Sequence, residues 1–165
     1  MNMKKLLTAV ALLTVACLSV RAQNQKQKQG DSANIDAYIE MLRSDLKTKK
    51  TALIAEAVPL SESESAAFWP VYRKYDLDLT TLNDERVAII KDYGANYSSM
   101  SEAKAKELGD RFLAWEDKRV SLKRKYFQEF GKILPAIKAV RIMQVENRVS
   151  LLIDLQIAAA VPLMQ

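Results

Sequence analysis

The side chains able to do covalent or acid–base chemistry are few in this chain. It holds no histidine and one cysteine, Cys17. Neither a Ser–His nor a Cys–His nucleophile pair can be assembled from that set, nor the His/Cys cage that zinc prefers. Four glycines, Gly30, Gly94, Gly109 and Gly131, lie far apart, so no glycine-rich loop is available to cradle a phosphate. Carboxylates remain. The closest sets, Asp76 with Asp78 and Glu116 with Asp117, are two apart and adjacent. On a helix those spacings point to different faces, and the reading is solvated surface charge rather than a paired acid and base. No catalytic residue, cofactor site or metal site is expected, and the chain is read as a binder rather than an enzyme.

The cations are more regular. Lys104, Arg111, Lys118, Lys125 and Lys132 recur every seven residues without a miss. Such a row forms a basic rail along one helix, its alkyl stems on apolar surface and its charges in water. A rail beside an apolar strip would hold acidic or unfolded polypeptide. The plainer alternative, which the pattern favours, is a flanking row paired with acids of a neighbouring helix. Arg86 and Arg119 differ, because they interrupt apolar seams. If the chain reverses near Tyr97, Arg119 faces Tyr75 and reaches Asp76 or Asp78, while Arg86 faces Leu108 and reaches Glu107 or Asp110. These pairs would fix register.

The elements that must position these residues are helical almost throughout. Phe68, Tyr72, Tyr75, Leu79, Leu82, Arg86, Ile89 and Tyr93 step by three or four residues and share one helix face. Ser61 and Glu64 form a capping box that opens this helix, and Gly94 is expected to end it. Pro70 lies inside the pattern, and a bent but continuous helix is expected, since burial of Phe68, Trp69 and Tyr72 outweighs the roughly 3 kcal/mol of an internal proline. After a loop from Gly94 to Met100, Ser101 caps a third helix running to about Leu134. Its seam is Ala105, Leu108, Phe112, Trp115, Arg119, Leu122, Tyr126, Glu129 and Ile133. Helices of some 30 residues are roughly 45 Å long, and these two are expected to form an antiparallel hairpin. A first helix spans about Ala33 to Ala57 and stops at Pro59. A fourth opens at Pro135 and runs to about Ala160, its end (Leu151 to Val161) apolar nearly all round and in need of burial in the core or against another subunit. The fold class is all-α, a four-helix elongated hairpin bundle.

The first 22 residues have the form of a secretory signal. Lys4 and Lys5 precede an apolar stretch from Leu6 to Val20, and Val20-Arg21-Ala22 supplies a cleavage site. The stretch is shorter than the ~20 residues of a spanning helix. Lipidation at Cys17 is the alternative, but Thr14-Val15-Ala16 fits a lipoprotein signal poorly. Residues 23–31 are a polar, low-complexity leader, and 32–165 a single helical domain. Lys4, Lys5 and Arg21 fall in the signal. The 25 Lys and Arg therefore drop to 22 against 20 Asp and Glu, and the net charge from +5 to +2. A near-balanced chain gives no argument for nucleic acid. A processed chain would be periplasmic, not transmembrane, and without disulfides.

Leu60-Ser61-Glu62-Ser63-Glu64 resembles the Leu-Thr-x-x-Gln motif of Spy/CpxP-like periplasmic proteins, with Ser for Thr and Glu for Gln. The second family copy is matched by Ile133-Leu134-Pro135-Ala136-Ile137-Lys138, which keeps Leu134 but loses the polar pair. Met100-Ser101-Glu102-Ala103-Lys104 is a further degenerate copy. A nearer likeness, to small exported bacterial proteins, rests on Leu42-Arg43-Ser44-Asp45-Leu46, Phe68-Trp69-Pro70-Val71-Tyr72 and Ile153-Asp154-Leu155-Gln156. The Spy/CpxP resemblance implies a cradle-shaped homodimer that binds unfolding clients without ATP or reports envelope stress. The family's metal sensors use histidines, which this chain lacks. The expected function is that of a chaperone or stress accessory, with unfolded or partner proteins as ligands. Lys104, Arg111, Lys118, Lys125 and Lys132 with Phe68, Trp69 and Trp115 would form the surface, and Leu60, Ser61, Glu64, Leu134 and Pro135 the family caps. A protein with one dedicated partner and a carboxylate-based cation sensor are the rival readings.

Overall fold

Ser61 sets the start of the first long helix. In the computed structural model, which describes residues 49–164, its Oγ accepts from the Glu64 amide at 3.2 Å. The Glu64 carboxylate accepts in return from the Ser61 amide at 2.7 Å. That capping box satisfies two donors that the helix itself leaves orphaned. Lys138 Nζ also reaches the Glu64 carboxylate, at 2.6 Å, and is the main reason its pKa lies below the ordinary value. Replacing Ser61 by Ala is expected to lower stability by about 1 kcal/mol, read as a lower urea midpoint with an unchanged slope.

The described chain is all-α. Helix α1 is described over residues 49–57 and ends before Pro59. Helix α2 runs Glu62–Asn96, a 3-10 turn covers Tyr97–Ser99, α3 runs Glu102–Ile133 and α4 Ala136–Ala160. The signal, the leader, the beginning of the first helix and the Leu42-Arg43-Ser44-Asp45-Leu46 stretch lie outside the described residues. Pro70 leaves α2 continuous, as expected. Its ring sits on the exposed side, where the carbonyl it displaces can turn to water. Gly94 does not end α2. None of the described glycines has a positive φ, and the helix passes through it to Asn96, so the expected loop shrinks to the 3-10 turn and Met100. Ser101 caps α3 by accepting from the Lys104 amide at 3.2 Å. Pro135 stands at the N-cap of α4, one place ahead of the first helical residue.

Side-chain partners fix the helix directions. Asp92 with Arg111, Glu85 with Lys118 and Asp78 with Lys125 move in opposite senses along the chain, so α2 and α3 are antiparallel. Arg119 with Ser150 and Lys123 with Asn147 do the same for α3 and α4. Glu64 with Lys138, Tyr72 with Glu146 and Arg86 with Asp154 rise together, so α4 lies parallel to α2.

The core has two regions. Phe68, Tyr72 and Tyr75 of α2 pack with Tyr126 and Phe130 of α3, with Ile54 and Val58 at the end of α1, and with Ala139 and Ile142 of α4. The second region joins Leu82 and Ile89 to Leu108 and Trp115, and Leu122 touches both. Every buried residue of α2 belongs to the expected seam. The α3 seam is corrected at two places: Phe112 is two-fifths exposed and Phe130 is fully buried. The register explains this, because Phe130 meets Phe68 at 5.3 Å and Tyr75 at 6.0 Å between ring centroids. At roughly 1.5–3 kcal/mol per buried large apolar side chain, this aromatic cluster is the main tie between the helices.

Candidate polypeptide-binding surface

The basic row of α3 is straight, and its charges are matched. Lys104 pairs with Asp92 and Glu107, and Arg111 with the same two acids. Lys118 meets Glu85 at 2.6 Å, Lys125 meets Asp78 at 3.0 Å and Lys132 meets Glu129 at 2.6 Å. Lys104 and Arg111 in turn hold the carboxyls of Asp92 and Glu107 below their ordinary pKa. From Lys104 to Lys125 the row is therefore a zipper between α2 and α3, the plainer of the two expectations, while Lys132 pairs within α3. Phe68 and Trp115, also expected on the surface, are in the core, because seam positions face the neighbouring helix. Trp69 is half-buried, and its indole N–H donates to Ser65 Oγ at 2.9 Å.

Arg86 and Arg119 do pair, but with other acids than a two-helix register suggests. Both reach Asp154 of α4, Arg119 at 3.1 Å, and Arg119 also bonds Glu116 at 2.8 Å. Their guanidinium carbons lie 4.7 and 4.8 Å from the Trp115 ring centroid, within cation–π range. The acids expected for them are taken elsewhere: Asp76 by Lys50, Asp78 by Lys125 and Tyr126, Glu107 by Lys104, Asp110 by Lys106. The difference comes from α4, whose seam brings Asp154 to both arginines at once.

Burial pushes the Asp154 carboxyl up, but hydrogen bonds and charge from Arg86 and Arg119 more than reverse it, leaving the pKa below the ordinary aspartate value. A carboxyl depressed in the folded state stabilises above its unfolded pKa, and the gain is lost as pH falls through the folded value. Below about pH 5 the parent chain is expected to lose thermal stability. Asp154→Asn should start from a lower midpoint at neutral pH and fall less over the same interval. The difference between the two melting curves isolates Asp154 from the other depressed acids, Asp78, Asp92, Glu64 and Glu107.

One acidic side chain lies in the core. Glu146, 3% exposed, accepts from Tyr72 Oη at 2.5 Å and Tyr75 Oη at 3.1 Å, and Lys50 stands 3.6 Å away. Burial, reinforced by the Glu146 charge, raises both phenol pKa values. The signal for it was present in the sequence: Ala139, Ile142, Glu146 and Val149 are the buried row of α4, with Glu at an apolar place.

What faces solvent is the outer side of α3 and α4. Val120 and Phe127 of α3 are 52% and 41% exposed, and Val140 of α4 is 42% exposed. With Met143 they floor an open groove of about 530 Å³. Lys123, Arg124 and Arg148 stand at its rim and no carboxylate lines it. Further along α4, Leu151, Leu152 and Leu155 are more than half exposed, and even the inner side of this apolar end is only partly buried. Among the described residues, no cluster of three His, Cys, Asp or Glu side chains is placed to hold a metal, and no helix is long and apolar enough to cross a membrane. No protein-family model, curated protein or solved structure matches the chain.

Proposed function

We propose that this is an exported, non-enzymatic polypeptide-binding protein of the Spy/CpxP-like kind, working in the periplasm as an ATP-independent chaperone or stress accessory. The observation that carries this reading is the outer face of α3 and α4, where apolar side chains lie open beside Lys123, Arg124 and Arg148 in a groove that no carboxylate lines. Exposed apolar surface rimmed by polar groups is characteristic of interaction sites. The basic row, matched by acids of α2 and, at Lys132, of α3 itself, has no spare charge to offer, which moves the proposed contact from the rail to the groove. Glu146 is sealed from solvent, which supports a structural rather than catalytic role for it. The exposure of Leu151, Leu152 and Leu155 supports a homodimer closed by the α4 ends.

Chain beginning at Gln23, mixed in equal amounts with several unrelated denatured proteins, is expected to delay and reduce their light scattering on dilution. Val120→Ser with Phe127→Ser should remove most of that effect. No suppression with any client, at a concentration where sedimentation finds the chain well folded, would end the chaperone reading.

A further inference from the structure

We infer that the α3/α4 groove docks one acidic amphipathic helix of a partner protein. The inference deepens the polypeptide-binding reading and rests on it. Most Lys and Arg side chains that face another helix have an acid. Lys50, Arg86, Lys104, Arg111, Lys118, Arg119, Lys125 and Lys138 each sit within 4.0 Å of a carboxylate. The groove departs from that rule. Among the described residues, Lys123 hydrogen-bonds only the Asn147 side-chain oxygen, at 3.4 Å. Arg124 and Arg148 have no acid partner among the described residues. Three cations therefore converge on one apolar trough that no carboxylate lines, although Asp154, Glu146 and Glu116 act on Lys123 from farther off. Lys123 is also partly desolvated there, and burial together with the nearby Arg119 charge lowers its pKa.

The shape selects among anionic occupants. The floor is made by two antiparallel helices, with Val120 and Phe127 two turns apart on one and Val140 and Met143 one turn apart on the other. Two turns of helix are roughly 10 Å, the spacing of apolar anchors at i and i+7 on a docked helix. A helix lying in the trough with apolar anchors down would bring flanking Glu or Asp to Arg124 on one side and Arg148 on the other. Bidentate arginine–carboxylate pairs would then fix its register.

The test uses chain beginning at Gln23 and two labelled 18-residue amphipathic helices, one with Leu anchors flanked by Glu, the other with every Glu replaced by Lys. Fluorescence anisotropy should show the Glu helix binding at least tenfold more tightly than the Lys helix. Arg124→Glu with Arg148→Glu should weaken it at least tenfold. Arg73→Glu with Lys74→Glu, which changes net charge by the same amount on exposed positions of α2, should change it less than twofold. Circular dichroism melts confirm that both double variants fold. Equal binding of the two helices, or equal losses in the two double variants, would overturn the inference. So would failure to bind the Glu helix, with or without binding to phosphatidylglycerol vesicles. Helix binding without aggregation suppression would remove the general chaperone reading and leave this one standing. Suppression that survives reversal of Arg124 and Arg148, with no helix bound, would do the opposite.

Discussion

Glu146→Ala is expected to cost about 3–5 kcal/mol, the range for removing one partner of a buried charge network. The lost carboxylate is the acceptor for two phenols, Tyr72 and Tyr75, that have no water to turn to. It also leaves Lys50, 7% exposed, with Asp76 alone at 2.6 Å. Glu146→Gln keeps an acceptor for the phenols but not the charge facing Lys50, and should fall between parent and Ala. The check is the urea midpoint of each variant together with near-ultraviolet circular dichroism, where the Tyr72 and Tyr75 signals should weaken most in the Ala variant. A loss below about 1 kcal/mol would mean that solvent reaches this site and that the network is not closed.

Trp115→Ala should be of similar size, about 3–5 kcal/mol, for a different reason. The ring fills the second region of the core, and its indole N–H donates to the Leu82 carbonyl at 2.9 Å. It also separates Arg86 from Arg119, which contact its ring and share Asp154. Removing it leaves a cavity lined by two guanidiniums with one shared carboxylate between them. Trp115→Phe restores most of the volume and some of the cation–π attraction but leaves no N–H for Leu82, so an intermediate loss is expected. Adding Arg86→Met to Trp115→Ala should recover some of the loss if the arginines are strained by the cavity. A strictly additive double variant would show that they are not coupled.

The α2 seam was legible because its apolar residues recur at helical spacing with one interruption, Arg86. The helix starts at Ser61 and Ser101 were legible because a hydroxyl followed by a carboxylate or free amide has one local use. Partner choice was not. A two-helix hairpin turning at Tyr97 gives Arg86 and Arg119 the wrong acids, because α2 continues to Asn96 and a further helix of the bundle carries the better one. A pairwise register cannot see Asp154, which is distant in sequence and adjacent in space. Between Tyr126 and Ile133 a three-four count passes equally through Glu129 or Phe130, and spacing alone does not choose between them. The groove was invisible for a further reason: Arg124 and Arg148 look like any exposed arginine until the acids that could have met them are found occupied elsewhere.

The spacing of α2 and α4 has a mechanical consequence. No Cα of one comes within 8 Å of the other. Beyond the aromatic cluster that takes in Ala139 and Ile142, the two are joined by long polar struts: Tyr72 and Tyr75 to Glu146 and Arg86 to Asp154, with Tyr93 Oη to the Pro162 carbonyl just past α4 at 2.8 Å. Struts of that kind resist compression but break singly, in succession, under tension. Of the three long helices, α4 is thus the leaf most readily peeled from the stack, and its amides should exchange with solvent sooner than those where α2 and α3 touch directly.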